Sequence, residues 1–124
     1  MITRFWHVGL TVDDLEKGIA EYEKLGFELE KRIEKPEPHL FAAIMNHSDG
    51  SSVELIEFID QSHPQNEFIK QHMAFISDDL DVDVQSLIDS GYDLVIPKTK
   101  GVIVTYAYLK DSSGNCIELA EQKQ

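Results

Sequence analysis

Phe5 to Val12 is apolar and partly β-branched, and its two-residue period places Trp6, Val8, Leu10 and Val12 on one face and His7, Gly9 and Thr11 on the other, which predicts a strand. The period then lengthens. Leu15, Ile19, Tyr22 and Leu25 fall three or four apart, which predicts a helix capped by Asp13 or Asp14 and ended by Gly26. A strand is expected from Phe27 to about Ile33, and a loop at Glu34 to His39, where two prolines oppose a regular ladder. Leu40 to Asn46 and Ser52 to Ile59 read as a hairpin pair around His47-Ser48-Asp49-Gly50. These elements make one βαβββ module. After a linker from Asp60 to about Lys70, with a short helical turn at Gln65 to Ile69, the pattern returns. His72 to Ser77 predicts a strand, and Leu80, Val84, Leu87 and Ile88 a helix face closed by Gly91. Strands are expected at Tyr92 to Ile96, Gly101 to Lys110 and Cys116 to Ala120, with turns at Pro97 to Lys100 and Asp111 to Asn115.

The second half also repeats the words of the first. His7-Val8-Gly9-Leu10-Thr11-Val12-Asp13-Asp14-Leu15 is echoed 65 residues later by His72-Met73-Ala74-Phe75-Ile76-Ser77-Asp78-Asp79-Leu80, and Gly26-Phe27 by Gly91-Tyr92. Asp49-Gly50-Ser51-Ser52-Val53-Glu54-Leu55 returns 64 residues later as Ser113-Gly114-Asn115-Cys116-Ile117-Glu118-Leu119. Such a repeat is too long for a solenoid unit and predicts two supersecondary modules, about 1–60 and 71–122, within a single domain spanning 1–124. The expected class is α+β, with a curved, mostly antiparallel sheet.

Composition narrows the partners. The 124 residues suit one domain with a core of useful size. Eleven basic residues against 23 acidic ones give a formal charge of −12, which opposes nucleic acid and anionic membranes. No apolar run is long enough for a membrane span. The amino terminus lacks a charged segment followed by an apolar one, and the one cysteine, Cys116, cannot pair within the chain; a cytoplasmic protein is expected.

Strand parity singles out four side chains. His7 and His72 oppose the helix-packing faces of their strands. Glu54 and Glu118 do the same in Val53-Glu54-Leu55-Ile56 and Cys116-Ile117-Glu118-Leu119, so all four are expected on the concave side. A lone His or Glu on a strand is usually structural. Two of each at equivalent positions are a different matter, because an unpaired carboxylate buried in an apolar strand costs several kcal/mol, on the order of the usual penalty for buried charge, and a dication removes that cost. Two imidazoles and two carboxylates suit Zn, Ni or Co, with Mn a further candidate.

On these residues the sequence resembles the vicinal oxygen chelate superfamily, which includes glyoxalase I, methylmalonyl-CoA epimerase, fosfomycin resistance enzymes and extradiol dioxygenases. The resemblance covers the whole chain. It implies paired βαβββ modules forming a cup-shaped mixed sheet around a metal, with helices on the outer face, and a dimer. Position by position, His7, Glu54, His72 and Glu118 match the four ligands of the glyoxalase I and epimerase branches; fosfomycin resistance enzymes and dioxygenases have no carboxylate matching Glu54. Where glyoxalase I carries an arginine four residues after its first histidine, this chain has Thr11.

The activity the resemblance implies is that of a lyase or isomerase moving a proton at the carbon next to a carbonyl, through an enediolate or enolate whose oxygens the metal stabilises. Glu118 and Glu54 are the candidate bases. A methylglyoxal–thiol hemithioacetal, converted to an S-lactoyl thioester, is the favoured substrate. A 2-methyl-branched acyl-CoA, epimerised, is the alternative, and a metal-free antibiotic-binding protein on the same fold is the rival from another class. Thr11, Lys98, Lys100 and Tyr106 are candidate substrate contacts. Cys116 is expected to be a small buried thiol, His39, His47 and His63 to be solvated, and Glu57 to be a surface charge at a strand end.

Overall fold

The computed structural model describes residues 1–122. Among the described residues, eight strands and three helices follow the predicted order: β1 (Ile2–Thr11), α1 (Leu15–Glu23), β2 (Phe27–Pro36), β3 (His39–His47), β4 (Ser52–Phe58), α2 (Asn66–Ile69), β5 (Gln71–Ser77), α3 (Leu80–Asp89), β6 (Asp93–Lys100), β7 (Val104–Lys110) and β8 (Cys116–Gln122). The strands lie in the order β2-β3-β4-β1-β5-β8-β7-β6. β1 with β4 and β5 with β8 are parallel; the β2/β3, β3/β4, β6/β7 and β7/β8 ladders are antiparallel, so the sheet is mixed. No helix among the described residues is long and apolar enough to cross a membrane.

The chain divides into two compact units, His7–Gln71 and a second made of His72–Gln124 with Met1–Trp6. The boundary differs from the sequence repeat because the start of β1 belongs with β5: Thr3 Oγ1 donates to the Ile76 carbonyl at 3.3 Å, and the Phe5 and Phe75 rings meet edge to face at 5.4 Å.

In the first unit, α1 begins where Asp14 turns extended and its carboxylate accepts the Lys17 amide at 3.0 Å. Leu15 and Ile19, one turn apart, bury against Ala43, Met45 and Leu55, with Val12, Tyr22, Phe27, Phe41 and Val53 around them. Gly26, at φ +99°, turns the chain from α1 into β2. Only glycine fits there, since a Cβ would stand 2.7 Å from the His47 ring as well as require a left-handed backbone. The second unit repeats the design. Asp79 caps α3 by accepting the Val82 amide at 3.3 Å, and Leu80 packs on Leu109 and Leu119, flanked by Phe75, Val84, Leu87, Ile88, Tyr92 and Ile117.

Two expected loops are strand. Glu34, Lys35 and Pro36 pair with Phe41, Leu40 and His39, so only Glu37 and Pro38 form the bend. Pro97 to Lys100 lie inside β6, with register shifts between Leu94 and Ile96 and between Ile96 and Thr99. Both β2 and β6 are edge strands, where a proline's missing N–H faces outward and a bulge absorbs the misfit. β7 in turn starts at Val104, not Gly101, because Gly101 to Ile103 form the turn.

Glu57 is not a loose surface charge. It is half-buried, and its Oε1 accepts the Leu15 amide at 2.8 Å, one of the donors a helix start leaves unsatisfied; Glu121 does the same for Leu80 at 3.1 Å. Each helix start is thereby tied to the strand that carries Glu54 or Glu118. Replacing Glu57 by Ala should lower the stability of the fold by about 0.5–2 kcal/mol, the range for lost helix caps. Urea denaturation measures this, and an unchanged midpoint for Glu57→Ala would contradict the assignment.

Candidate metal centre

Each unit holds one His–Glu pair, built by the same register. In the first, Gly9 is aligned with Glu54 across the parallel β1/β4 ladder, so His7, two residues before Gly9, shares its face of β1. His7 Nε2 lies 3.6 Å from Glu54 Oε1. In the second, Ala74 is aligned with Glu118 across β5/β8, and His72 stands two residues before Ala74. His72 Nε2 lies 3.3 Å from Glu118 Oε1. In both units the residue aligned with the glutamate, Gly9 or Ala74, is small and buried.

Burial makes these pairs informative. The side chains of His7 and His72 are 1% and 0% exposed, Glu118 8% and Glu54 17%. A carboxylate so far from water needs a compensating positive charge. The spacing also suits ligands: donors about 2.0–2.2 Å from a tetrahedral ion stand roughly 3.3–3.6 Å from each other, by the geometry of zinc sites. His7 and Glu54 in the one unit, and His72 and Glu118 in the other, each offer a ligand atom of the kind that could hold a metal ion. Two neutral imidazoles and two carboxylates make a donor set for a borderline divalent ion, with charge to match.

The strands bearing the glutamates are anchored by aspartate turns. Asp49 accepts the Ser51 amide at 2.8 Å, and Asp111 accepts the amides of Ser113 and Asn115 at 2.9 Å each. Hydrogen bonds from Ser51 hold the Asp49 carboxyl below its ordinary pKa, and those from Asn115 do so for Asp111. Each turn therefore favours the ionised acid, just ahead of the strand that carries Glu54 or Glu118.

The candidate substrate contacts fall in different places. Tyr106 is 5% exposed, and its ring meets that of Tyr108 at 5.6 Å, whereas Lys98 Nζ pairs with Asp81 of α3 at 3.1 Å and so is drawn to the helix face. Lys100 is exposed at the end of β6. Thr11 donates its hydroxyl to the Lys70 carbonyl at 2.7 Å and lines a cavity of about 430 Å³ with Val12, Asp13, Glu57, Phe58, Gln61 and Asn66. Cys116 is half-buried, not enclosed. His63 and His47 are also less open than expected: His63 Nε2 is 2.6 Å from Glu37 Oε1, and His47 packs edge to face on Phe27 at 5.2 Å.

Sequence reasoning misread Glu57 as a surface charge and passed over Glu121 and Tyr108. Glu57 and Glu121 were readable from the repeat itself, since Glu54-Leu55-Ile56-Glu57 returns as Glu118-Leu119-Ala120-Glu121. Tyr108 had no such signal, because its counterpart 64 residues earlier is Ile44.

Comparison with known proteins supports the fold. No curated protein matches the chain. Among solved structures it is similar to methylmalonyl-CoA epimerase from Mycobacterium tuberculosis, with 24% identity, a TM-score of 0.86, and 99% of this chain and 90% of that one covered. Streptomyces coelicolor methylmalonyl-CoA epimerase, solved with 2-nitronate-propionyl-CoA, gives 22% identity, a TM-score of 0.82 and coverage of 98% and 96%. A hypothetical protein from Bacillus halodurans gives 20%, 0.79, and 97% and 94%. At these identities the likeness establishes the fold. The sequence profile described as Glyoxalase/Bleomycin resistance protein/Dioxygenase superfamily matches residues 6–121, and the chain belongs to that superfamily.

Proposed function

We propose that this protein is a metal-dependent enzyme that moves a proton at the carbon next to a carbonyl, in the manner of glyoxalase I, with His7, Glu54, His72 and Glu118 as the ligands of one divalent ion. The observation that carries this reading is the recurrence of a water-shielded His–Glu pair, in the same register, in both units. Zn, Ni and Co suit the donor set best, and Mn less so. The ion would supply Lewis-acid stabilisation of negative charge developing on the substrate oxygens.

The protein's own share is proton handling. Glu118 is the favoured base: its carboxylate takes the proton from the carbon and returns it to the neighbouring carbon for a hemithioacetal, whereas an epimerisation needs Glu54 to give a proton to the opposite face of the same carbon. Glu54, more exposed, is the second candidate. Burial around His72 and Glu118 excludes water, which strengthens every charge interaction there and protects the enolate-like intermediate from stray protons.

Methylglyoxal–thiol hemithioacetal is the favoured substrate, because glutamate fills the second ligand position and a strongly acidic chain is poorly suited to the phosphates of coenzyme A. A 2-methyl-branched acyl-CoA is the second reading, supported by the solved epimerases of the same fold, one of them in complex with methylmalonyl-CoA. A metal-free binding protein is disfavoured by the four candidate ligands themselves. The lone cysteine favours a cytoplasmic setting. A homodimer is expected as well, since edge strands β2 and β6 are each paired on one side only, and Phe5 and Met73 are 46% and 47% exposed.

Reconstitution with Zn, Ni, Co or Mn followed by elemental analysis should give about one ion per chain; content below about 0.2 after chelation of loose metal, the level of adventitious binding, would sink the metal centre. Glu118→Gln should keep the ion while turnover falls about 10²–10⁴-fold, the usual contribution of a general base, and Glu54→Gln should hurt less. The assay offers hemithioacetals of several small thiols and a methyl-branched acyl-CoA to the Ni and Co forms. Turnover of the acyl-CoA alone replaces the favoured substrate by the second, and no proton exchange with any of them refutes the enzyme. Light scattering should give about twice the 14.1 kDa chain mass. A monomer at micromolar concentration contradicts the dimer and leaves the metal site standing.

A further inference from the structure

The two units are unequal beside their glutamates. Across the β7/β8 ladder Glu118 is aligned with Tyr108, whereas across β3/β4 Glu54 is aligned with Ile44. Directly aligned residues share a face of the sheet, with Cβ atoms roughly 4.5–5.5 Å apart. Tyr108 therefore stands beside Glu118. Its ring also meets the imidazole of His72, with centroids 5.1 Å apart and planes at 75°. Behind it, Tyr106 meets Tyr108 at 5.6 Å and 88°, and Gly101 lies so close that a Cβ would stand 2.9 Å from the Tyr106 ring. Both tyrosines are almost fully buried, at 5% and 4% exposure. The result is a column of perpendicular rings, Tyr106, Tyr108 and His72, packed from the β6–β7 turn to the imidazole. Ile44 offers the first unit only an aliphatic side chain at the equivalent position.

Perpendicular packing constrains an imidazole in a way an aliphatic neighbour does not, because the positive edge of one ring seeks the negative face of the other and resists rotation about the His72 side-chain bonds. A ligand that is held in the orientation the ion needs loses little freedom on binding. Partners that orient ligands in this way contribute to affinity without touching the metal. The difference between the two pairs runs the same way: His72 and Glu118 are closer together, at 3.3 Å against 3.6 Å, and Glu118 is more enclosed than Glu54.

We propose that Tyr108 is a positioning residue of the second unit, its ring fixing the plane of the His72 imidazole so that His72 and Glu118 form the better-held half of the centre. This rests on the metal reading above. The hydroxyl is not required, so the ring and the hydroxyl can be separated by substitution.

The test compares the wild type with Tyr108→Phe and Tyr108→Leu by Zn²⁺ titration against a competing chelator and by the visible absorption of the Co²⁺ forms, with thermal melting alongside. Tyr108→Phe should bind Zn²⁺ within about threefold of the wild type and keep its Co²⁺ bands. Tyr108→Leu should bind about 10–100-fold more weakly, as when an orienting partner is lost, with altered bands. Where the Leu variant fails to fold, Tyr108→Met fills the space without a ring and is expected to behave as Leu. A ring-less variant that binds within threefold and differs only in melting temperature overturns the proposal, as does a tenfold loss in Tyr108→Phe. Wild-type protein without Co²⁺ bands defeats the metal reading itself, which separates that failure from failure of the Tyr108 role alone.

Discussion

A carboxylate shielded from water and set beside an imidazole is the constraint on which the rest of this structure turns. Glu118 and Glu54 lie in the middle of strands whose neighbouring residues are core, and an uncompensated charge there would cost several kcal/mol, on the order found for buried ions. Each carboxylate instead faces a histidine nitrogen from the strand parallel to it. A neutral imidazole supplies only part of the compensation, and a divalent ion held by these imidazoles and carboxylates, as proposed, would supply the remainder. The same ion would give the site its proposed chemistry, since what neutralises two glutamates at rest would also stabilise an oxygen that becomes negative as a neighbouring carbon loses its proton.

The surrounding elements serve that arrangement. Parallel pairing of β1 with β4 and β5 with β8 sets each histidine two residues from the position aligned with its glutamate. Leu15 and Leu80 seat a helix on the opposite face, and Glu57 and Glu121 hold the helix starts to the glutamate-bearing strands. One strand thus carries a candidate ligand on one face and a helix tether on the other, three residues apart. Unequal duplication then separates the two halves, as Tyr108 and Ile44 show.

Much of this was legible in the sequence, for physical reasons that can be named. The 65-residue echo of His7 in His72 revealed the modules, and strand parity put His7, Glu54, His72 and Glu118 opposite the helix faces, because a strand's two-residue period leaves no other choice. The helix start at Asp13 or Asp14, which the structure resolves to Asp14, and the turn at Gly26 were equally local. Proline misled the boundaries of β2 and β6, since the prohibition on proline in a ladder lapses at an edge, and which strands are edges is a property of the whole sheet. Glu57 was misread for the same reason: its partner, the Leu15 amide, lies 42 residues away. Lys98 looked available for an anionic substrate until α3 placed Asp81 beside it. Tyr108 could be found only by register, which no periodicity reports.

The central claim is that one ion sits among two imidazoles and two carboxylates contributed equally by the two modules. X-ray absorption spectroscopy of the Zn-loaded protein tests it most directly. The account predicts an inner shell of nitrogen and oxygen only, at about 2.0–2.2 Å, with outer-shell scattering from two histidine rings. In His72→Ala, whatever metal remains should show one ring instead of two. A sulfur scatterer at about 2.3 Å, implicating Cys116, or a shell of oxygens without imidazole, would contradict it.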